Sequence, residues 1–239
     1  MKRFIDFILA LIGFLLTLPI FLVLSLLIWL EDRQSPIYKA KRVGKYNKDF
    51  TLYKFRSMRV ASEKTGVFST SANDNRITKI GRILRRYKLD ELPQLINIIN
   101  GTMSFVGPRP NVRIDVDKYT LEEKKLLILA PGITDFSSIV FSDEGEILKD
   151  AQDPDLKYNQ VIRPWKSRLG LIYIENANVL LDLKLIFWTF VVIFNRNSAL
   201  NAISKQLQKI KCDEAVVKVS LRQAPLVPTP PPGADRVAS

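Results

Sequence analysis

The chain has 239 residues, with 36 Lys and Arg against 24 Asp and Glu, a single cysteine and no histidine. The absence of histidine excludes a Ser-His-Asp triad, a Cys-His pair and an imidazole general base. The single cysteine, Cys212, excludes an internal disulfide and a cysteine-rich zinc or iron–sulfur site. Any catalysis must therefore use carboxylates, Lys, Arg, hydroxyl groups, backbone N–H groups or a hard metal ion.

Positive charge is concentrated in one part of the chain. Residues 33–88 hold 16 Lys and Arg but only 3 Asp and Glu, so the rest of the chain is nearly neutral. A basic block next to an apolar segment favours an anionic partner, such as lipid headgroups, a nucleotide diphosphate or nucleic acid.

The N-terminal segment contains 24 consecutive uncharged residues, from Phe7 to Leu30. As a helix this run would be about 36 Å long, enough to cross a hydrocarbon core of roughly 30 Å. Pro19 lies near its middle, where it removes a backbone hydrogen bond. Basic residues on both sides of the run favour the cytoplasmic face for both ends. These observations alone leave a spanning helix and a re-entrant helix open.

The next predicted elements are a hairpin and an amphipathic helix. Two short strands are expected at 36–43 and 50–57, around a turn at 44–48. Residues 80–87 place apolar side chains at helical spacing, with arginines around the rest of the surface. This pattern favours a helix that lies on anionic lipid or presents an arginine to a phosphate.

Two adjacent carboxylates and an arginine between prolines follow. Asp90 is predicted as the N-cap of a short helix, with Pro93 in its first turn and Gly101 at its end. Such an Asp-Glu pair is usually a cap with a favourable charge, but this one follows a cationic helix. One short helix downstream, residues 107–110 form a stiff loop, because two prolines fix the backbone around Arg109. A carboxylate in this setting suits a nucleophile or a magnesium ligand acting on an anionic diphosphate.

The C-terminal part is predicted to contain two helices and a tail. Residues 120–130 are expected to be helical up to Pro131. Residues 179–194 are strongly apolar, and their length favours a buried or interfacial helix over a second membrane crossing. Five of the 13 prolines lie between residues 225 and 232, so disorder is expected from about residue 225.

Five motifs occur in order along the chain, at residues 2–6, 53–58, 89–94, 103–110 and 131–134. Together they resemble the bacterial sugar transferase family. Asp-Glu-Leu-Pro-Gln and Gly-Pro-Arg-Pro are the most specific, and the resemblance covers the chain from about residue 2 to residue 195. The family consists of monotopic phosphoglycosyl transferases that start glycan assembly on polyprenyl phosphate, and this chain is similar to its small form.

The resemblance implies a reaction. A UDP-sugar would bind at the cytoplasmic face of the bacterial inner membrane, Asp90 would attack the sugar-bearing phosphorus, and UMP would leave. Polyprenyl (undecaprenyl) phosphate would then accept the sugar phosphate. Asp90 would also ligate Mg²⁺, and Glu91 would position or deprotonate the acceptor. The implied substrate-binding residues are Arg56, Arg85, Pro108, Arg109 and Pro110.

The resemblance also implies an architecture. We expect a mainly α fold with a small β-hairpin (α+β) and interfacial amphipathic helices. Residues 1–32 would form a re-entrant membrane helix, broken near Pro19 and anchored by Arg3 and Asp6. Residues 33–200 would form a cytoplasmic, membrane-associated catalytic domain, followed by a tail at 201–239. Membrane lipids are expected partners, and nucleic acid is not.

Three positions depart from the family pattern. Leu18 precedes Pro19 where a serine is usual, and Gly170 stands where many members have an aspartate. Residues 135–142 replace a Gly-Trp-Ala-Gln-Val-Asn-Gly-Arg run and lack its arginine. These departures leave the identity of the sugar open.

Two other hypotheses fit parts of the sequence. Asp115-x-Asp117 and Asp153-x-Asp155 match the metal-binding pair of glycosyltransferases, which would release UDP rather than UMP. The block 33–88 also fits a non-enzymatic, membrane-tethered protein that binds nucleic acid or acidic lipid. In that case its aromatic residues would be stacking platforms, whereas they otherwise form the core of the hairpin.

Overall fold

The fold is mainly helical. The computed structural model describes residues 2–60, 70–71 and 73–238. Within these ranges, helices account for most of the regular structure, and the strands form two sheets of two strands each. The predicted α+β class is therefore confirmed.

The elements are numbered in chain order. The helices are α1 (Lys2–Asp32), α2 (Lys79–Arg86), α3 (Gln94–Ile99), α4 (Arg113–Val116), α5 (Phe136–Val140), α6 (Glu144–Ile147), α7 (Pro154–Lys157), α8 (Arg163–Asn176), α9 (Val179–Phe194), α10 (Arg196–Lys209) and α11 (Glu214–Leu221). The strands are β1 (Ile37–Val43), β2 (Asp49–Phe55), β3 (Ser104–Val106) and β4 (Gly132–Thr134). Short 3₁₀ segments lie at Lys45–Asn47, Leu89–Glu91 and Glu123–Ile128, and a π-helical turn lies at Tyr158–Ile162.

The predicted hairpin is confirmed. β1 and β2 pair antiparallel, from Ile37 opposite Phe55 to Val43 opposite Asp49. Their connection contains two residues with positive φ, Tyr46 and Asn47, which turn the chain back tightly. The inner face of the hairpin packs on α1 and α3, so most of its aromatic side chains belong to the core.

The second sheet was not predicted, because strands of three residues are too short for periodicity to indicate them. β3 and β4 pair in parallel, with Ser104 opposite Gly132. Gly107 and Gly132 approach each other so closely that a Cβ on Gly132 would lie 2.1 Å from the Gly107 nitrogen. Gly132 N also donates to Pro108 O at 3.0 Å. The Gly-Pro-Arg-Pro and Pro-Gly-Ile-Thr motifs therefore meet here and fix the loop that carries Arg109.

The prediction that Asp90 caps a helix is wrong. Asp90 lies in the 3₁₀ turn that precedes α3, and Pro93 occupies the N-cap position of α3 without a side-chain cap. The chain reverses at Lys88, which has a φ of 55°, and this tight turn separates the carboxylates from α2. Gly101, with a φ of 83°, follows the end of α3 as predicted.

The predicted helix at 120–130 is a 3₁₀ segment, Glu123–Ile128. The side chain of Glu123 is buried and accepts a hydrogen bond from Thr120 N at 3.1 Å. It also pairs with Arg163 at 3.0 Å and accepts from Ser167 at 2.7 Å. The buried Glu123–Arg163 pair holds the segment against α8 and accounts for a 3₁₀ segment in place of the expected α-helix.

The expected break at Pro19 is absent, because α1 continues through Pro19 as one helix of 31 residues. Helix α1 is long and apolar enough to cross a membrane. Only three of its residues are buried in the protein: Asp6, Ala10 and Ile28.

The N-terminal end of α1 is tied to the body of the protein by polar contacts. Arg3 donates to the carbonyls of Ile98 and Ile99, at 2.7 Å for Ile99, and so satisfies the last turn of α3. Asp6 accepts a hydrogen bond from Ser104 Oγ at 2.8 Å. The two residues predicted as an anchor therefore join α1 to α3 and β3.

The C-terminal end of α1 contacts the same body. Asp32 accepts two hydrogen bonds from Arg56, at 2.5 and 2.6 Å. Glu31 accepts from Lys79 N at 3.0 Å, at the first residue of α2. Both ends of a helix about 46 Å long are thus held by one folded unit.

The largest core lies among α5, α8, α9, α10 and α11. The predicted helix at 179–194 is present with the same bounds. The boundary expected at residue 200 falls inside α10, and Ile203 and Leu207 beyond it are fully buried. Residues 201–221 therefore belong to the core instead of a tail.

Residues 225–238 form no helix or strand, but they differ from the expected disorder. Pro230 O accepts from Arg168 at 2.9 Å, and Pro232 O accepts from Thr120 Oγ1 at 2.5 Å. Pro231 is buried between these contacts. Prolines have little backbone freedom to lose, so a few contacts are enough to hold this segment in an extended path.

Candidate active site

A cavity of about 660 Å³ opens between α2, the 3₁₀ turn at 89–91, the loop after β3 and residues 138–146. Five residues that the resemblance implies line it: Arg85, Asp90, Glu91, Arg109 and Pro110. Residues far apart in the sequence therefore meet at one site.

The carboxylate of Asp90 is buried at the wall of this cavity. Within the described residues it makes no hydrogen bond, and it forms an ion pair with Lys54 across 4.0 Å. Burial raises the pKa of Asp90, the charge of Lys54 opposes this rise, and the neighbouring charge of Glu91 adds to it. Its oxygens are therefore available to a ligand.

The carboxylate of Glu91, in contrast, has two cationic hydrogen-bond partners. It accepts hydrogen bonds from Arg109 and from Lys54, the latter at 3.2 Å. Burial alone would raise the pKa of Glu91, but the charges of Arg109 and Lys54, together with the Arg109 hydrogen bond, outweigh burial and lower it. The charge of Glu91 in turn raises the pKa of Arg109. Both groups are thus held in their ionised forms.

Three lysines of the cavity were missed by the sequence analysis: Lys54, Lys88 and Lys166. Lys88 Nζ donates to Ser138 O at 3.5 Å, and burial lowers the pKa of Lys88. Lys166 pairs with Glu144. A usable signal existed for Lys54, which lies inside the motif at residues 53–58.

Arg56 does not line the cavity, contrary to the prediction that it binds substrate. Its guanidinium is buried against Asp32 and also donates to Ser35 O at 2.7 Å. The sequence shows the charge of Arg56, but its acidic partner lies 24 residues earlier. Arg56 therefore ties α1 to β2.

Pro108 also lies outside the large cavity, behind the loop that presents Arg109. Its ring approaches Gly170 of α8, where an added Cβ would lie 3.8 Å from Pro108 Cβ and 2.8 Å from Leu126 Cδ2. A side chain at position 170 would therefore meet Leu126 and Pro108. Pro108 thus supports the loop from behind.

The segment 135–142, which departs from the family pattern, forms α5. Asp135 caps this helix by accepting from Ser138 N at 2.7 Å and from Ser137 Oγ at 2.8 Å. The segment lacks the family's arginine, but Arg196 of α10 reaches the same region and pairs with Asp143 at 2.8 Å. Asp143 lines the cavity.

The aspartates of the alternative glycosyltransferase hypothesis do not come together. Asp115 lines the large cavity, whereas Asp117 lines a second cavity of about 360 Å³. Asp153 caps α7 by accepting from Leu156 N at 2.9 Å. Across the described part of the chain, no group of three or more acidic, Cys or His residues could hold a metal ion by itself.

Comparison with known proteins identifies a family. Residues 1–196 match the family model described as bacterial sugar transferase. The chain is 34% identical over 195 residues to UDP-N-acetylgalactosamine-undecaprenyl-phosphate N-acetylgalactosaminephosphotransferase of Aeromonas hydrophila, covering 80% of this chain and 43% of that protein. It is 34% identical over 200 residues to UDP-glucose:undecaprenyl-phosphate glucose-1-phosphate transferase of Escherichia coli K12, covering 79% and 39%.

A third relative is similar in length to this chain. The exopolysaccharide production protein PSS of Rhizobium leguminosarum bv. phaseoli is 34% identical over 202 residues, which cover 80% of this chain and 94% of that protein. The chain spans less than half the length of the Aeromonas and Escherichia proteins. The family match covers most of the chain and includes every residue of the candidate site, and the chain therefore belongs to the bacterial sugar transferase family.

Proposed function

We propose that this protein transfers a sugar 1-phosphate from a UDP-sugar to undecaprenyl phosphate through a covalent aspartyl intermediate. The relatives from Aeromonas and Escherichia are named for transfer of a sugar phosphate to this carrier. The observation that carries the proposal is the state of Asp90: a buried carboxylate without a hydrogen bond among the described residues, in a cavity lined by Lys54, Arg85 and Arg109.

The reaction would take two steps. First, an Asp90 oxygen bonds to the sugar-bearing phosphorus, the bond from that phosphorus to the bridging oxygen breaks, and UMP leaves with the electron pair. Second, a phosphate oxygen of undecaprenyl phosphate attacks the same phosphorus, and Asp90 leaves as a carboxylate. Covalent catalysis of this kind divides one difficult transfer into two easier ones.

The cations of the cavity reduce the electrostatic repulsion that opposes this reaction. A carboxylate and a diphosphate repel each other, so the attack needs positive charge around the transferred phosphoryl group. Lys54 faces Asp90, and Arg85 and Arg109 line the same cavity. These side chains would neutralise the donor before the bond to phosphorus forms.

Mg²⁺ is the cofactor we expect, and the donor set fits it. Mg²⁺ usually binds through one or two protein carboxylates together with substrate phosphates and water, so a dedicated acidic cage is not needed. The oxygens of Asp90 are hard donors that no hydrogen bond among the described residues occupies. Bound at Asp90, the ion would neutralise negative charge on the diphosphate.

Glu91 would act as a positioning residue. Its lowered pKa makes it a weak base, so proton removal from the acceptor suits it poorly. Its hydrogen bonds to Lys54 and Arg109 hold two cations on either side of the Asp-Glu pair. Of the two roles expected for Glu91, this favours positioning over deprotonation.

A monotopic arrangement at the cytoplasmic face of the inner membrane would bring the site to the carrier lipid. A spanning helix has its ends on opposite sides of the bilayer, but both ends of α1 contact the same folded unit. The outer face of α1 is apolar and exposed, with Leu16 75% accessible. Helix α1 would therefore insert its apolar face into one leaflet without crossing the bilayer, while the remainder stays on the cytoplasmic side.

The test is UMP release by detergent-solubilised protein supplied with undecaprenyl phosphate, Mg²⁺ and a panel of UDP-sugars. Wild-type protein should release UMP with at least one donor, and Asp90→Asn should not. Normal UMP release by Asp90→Asn would refute the nucleophile, and release of UDP in place of UMP would refute phosphosugar transfer. A matched control is Asp117→Asn, an aspartate outside the cavity, which should keep wild-type activity.

A further inference from the structure

Within the described residues, one oxygen of Asp143 lacks a hydrogen-bond partner although its other oxygen pairs with Arg196, and two neutral buried groups of the cavity lack partners altogether. They are the side-chain amide nitrogen of Gln94, Nε2, and the hydroxyl of Ser138. Gln94 is 2% exposed and Ser138 is 8% exposed, and both line the large cavity. Buried polar groups are nearly always hydrogen-bonded, and an unpaired one costs free energy. Two such groups on one cavity wall indicate a ligand that completes their bonds.

Gln94 is close in sequence to the reacting carboxylate, and hydrogen bonds hold the backbone of Ser138. Gln94 begins α3, four residues after Asp90. The backbone N–H of Ser138 is fixed by Asp135 at 2.7 Å, and its carbonyl accepts from Lys88 at 3.5 Å. The hydroxyl of Ser138 lies near the Asp135 carboxylate and helps to lower the pKa of Asp135, but it meets no partner in hydrogen-bond geometry among the described residues and can donate to a ligand.

The charge of these groups indicates which part of a ligand they contact. Lys54, Lys88 and Arg109 supply the charge-assisted bonds that suit a diphosphate. An amide and a hydroxyl are neutral and suit uncharged oxygens, such as those of ring hydroxyls or an acetamido group. The cavity thus offers separate groups for the phosphates and for the sugar.

We infer that Gln94 and Ser138 hydrogen-bond the sugar of the nucleotide-sugar donor and determine which sugar is accepted. This inference rests on the proposed function. Ser138 lies in the segment that departs from the family pattern, whereas Gln94 belongs to the shared Asp-Glu-Leu-Pro-Gln motif. Ser138 is therefore the member of the pair that adapts this chain to its own sugar. A site built to hydrogen-bond a hydroxyl discriminates strongly against a sugar that misplaces it.

The experiment measures kcat/KM for UMP release with UDP-glucose, UDP-galactose and their N-acetylated counterparts. The variants are Ser138→Ala and Gln94→Met, which remove the polar group with little change in volume. We expect a loss of about 10-fold for the preferred donor and a much smaller loss for the others, so that the donor ratio changes. The control is Ser220→Ala, a buried serine of α11 whose hydroxyl donates to Val217 O.

Thermal unfolding separates a binding role from a structural one. Removing a buried group that has no partner should leave the melting temperature unchanged or raise it, while kcat/KM falls. A lower melting temperature for both variants, or an equal loss of kcat/KM for all donors, would overturn the inference. So would an unchanged donor ratio in a protein that releases UMP. Absence of UMP release from every donor by the wild-type protein would instead refute the proposed function, and this inference with it.

Discussion

The guanidinium of Arg109 donates a hydrogen bond to the carboxylate of Glu91, which lies 18 residues earlier in the chain. This contact joins the two most specific motifs of the sequence at one point. Lys54 of the hairpin completes the cluster from a third element. Arg109 and Glu91 should therefore act as a unit.

Arg109→Ala should lower kcat/KM for UMP release by about 10²–10³, the range seen when one preorganised electrostatic contact is lost. Part of the loss arises because Glu91 keeps only Lys54 as its partner and that lysine is drawn from Asp90. Glu91→Gln should also lower activity, and the double variant should lose less than the product of the two single effects. Multiplicative losses in this cycle would show that the two residues act independently.

A covalent adduct should form on Asp90 when the donor is supplied without acceptor. Intact-protein mass spectrometry should show added mass equal to one sugar phosphate, and peptide mapping should locate it on Asp90. Asp115→Asn, which changes another carboxylate of the same cavity, should still form the adduct. If first-step turnover is demonstrated and no adduct appears, the two-step reaction is wrong.

Much of the fold could be predicted from the sequence because its longer elements have clear periodicity. Helices α2 and α9 and the hairpin were expected within one or two residues of their observed bounds, whereas α1 was expected to break near Pro19 and does not. The other failures concern short elements fixed by distant contacts. β3 and β4 exist because two glycines allow close backbone approach, and the 3₁₀ segment around Glu123 follows from its pairing with Arg163.

The candidate site could be predicted where a specific motif contained the residue itself. Asp90 and Arg109 were identified in this way. Arg56, which the resemblance also implies, lies outside the cavity and pairs with Asp32 of another element. The unpaired state of Gln94 and Ser138 could not be predicted at all, since it depends on what every neighbouring atom contacts.

Gly107→Ala should both destabilise the protein and slow UMP release. The added Cβ would lie 2.4 Å from Ala130 O, so the backbone must shift and carry Arg109 with it. Overpacking of this kind costs about 1–3 kcal/mol, or roughly 3–10 °C in melting temperature for a chain of this size. Gly13→Ala is the matched control, because its Cβ would meet Leu95 at an ordinary 3.8 Å. A Gly107→Ala protein with wild-type melting temperature and activity would contradict this account of the loop.

The ion pair between Asp32 and Arg56 should make stability depend on pH. The Arg56 hydrogen bond holds the pKa of Asp32 below its usual value. Because the pKa of Asp32 is lower in the folded state, ionised Asp32 stabilises the protein at pH values above its pKa in the unfolded chain, near 4. This stabilisation is lost as the pH falls through the pKa of Asp32 in the folded state. Asp32→Asn should lower the melting temperature by about 1–3 °C at pH 7, a small effect because Asp32 is exposed. The difference from wild type should shrink as the pH is lowered below about 4. A difference that grows on acidification would contradict this assignment.

The contacts at both ends of α1 lead to a prediction about topology. Arg3 and Asp6 bind the body at one end, and Asp32 binds it at the other, so neither end can lie across the membrane from the folded unit. In a Cys212→Ser background, a cysteine placed before Lys2 and a second variant, Gln34→Cys, should both resist a membrane-impermeant maleimide in spheroplasts. Both should react once the inner membrane is opened. Labelling of the N-terminal cysteine in intact spheroplasts would require α1 to cross the bilayer, and the contacts of Arg3 and Asp6 would then have to break in the membrane.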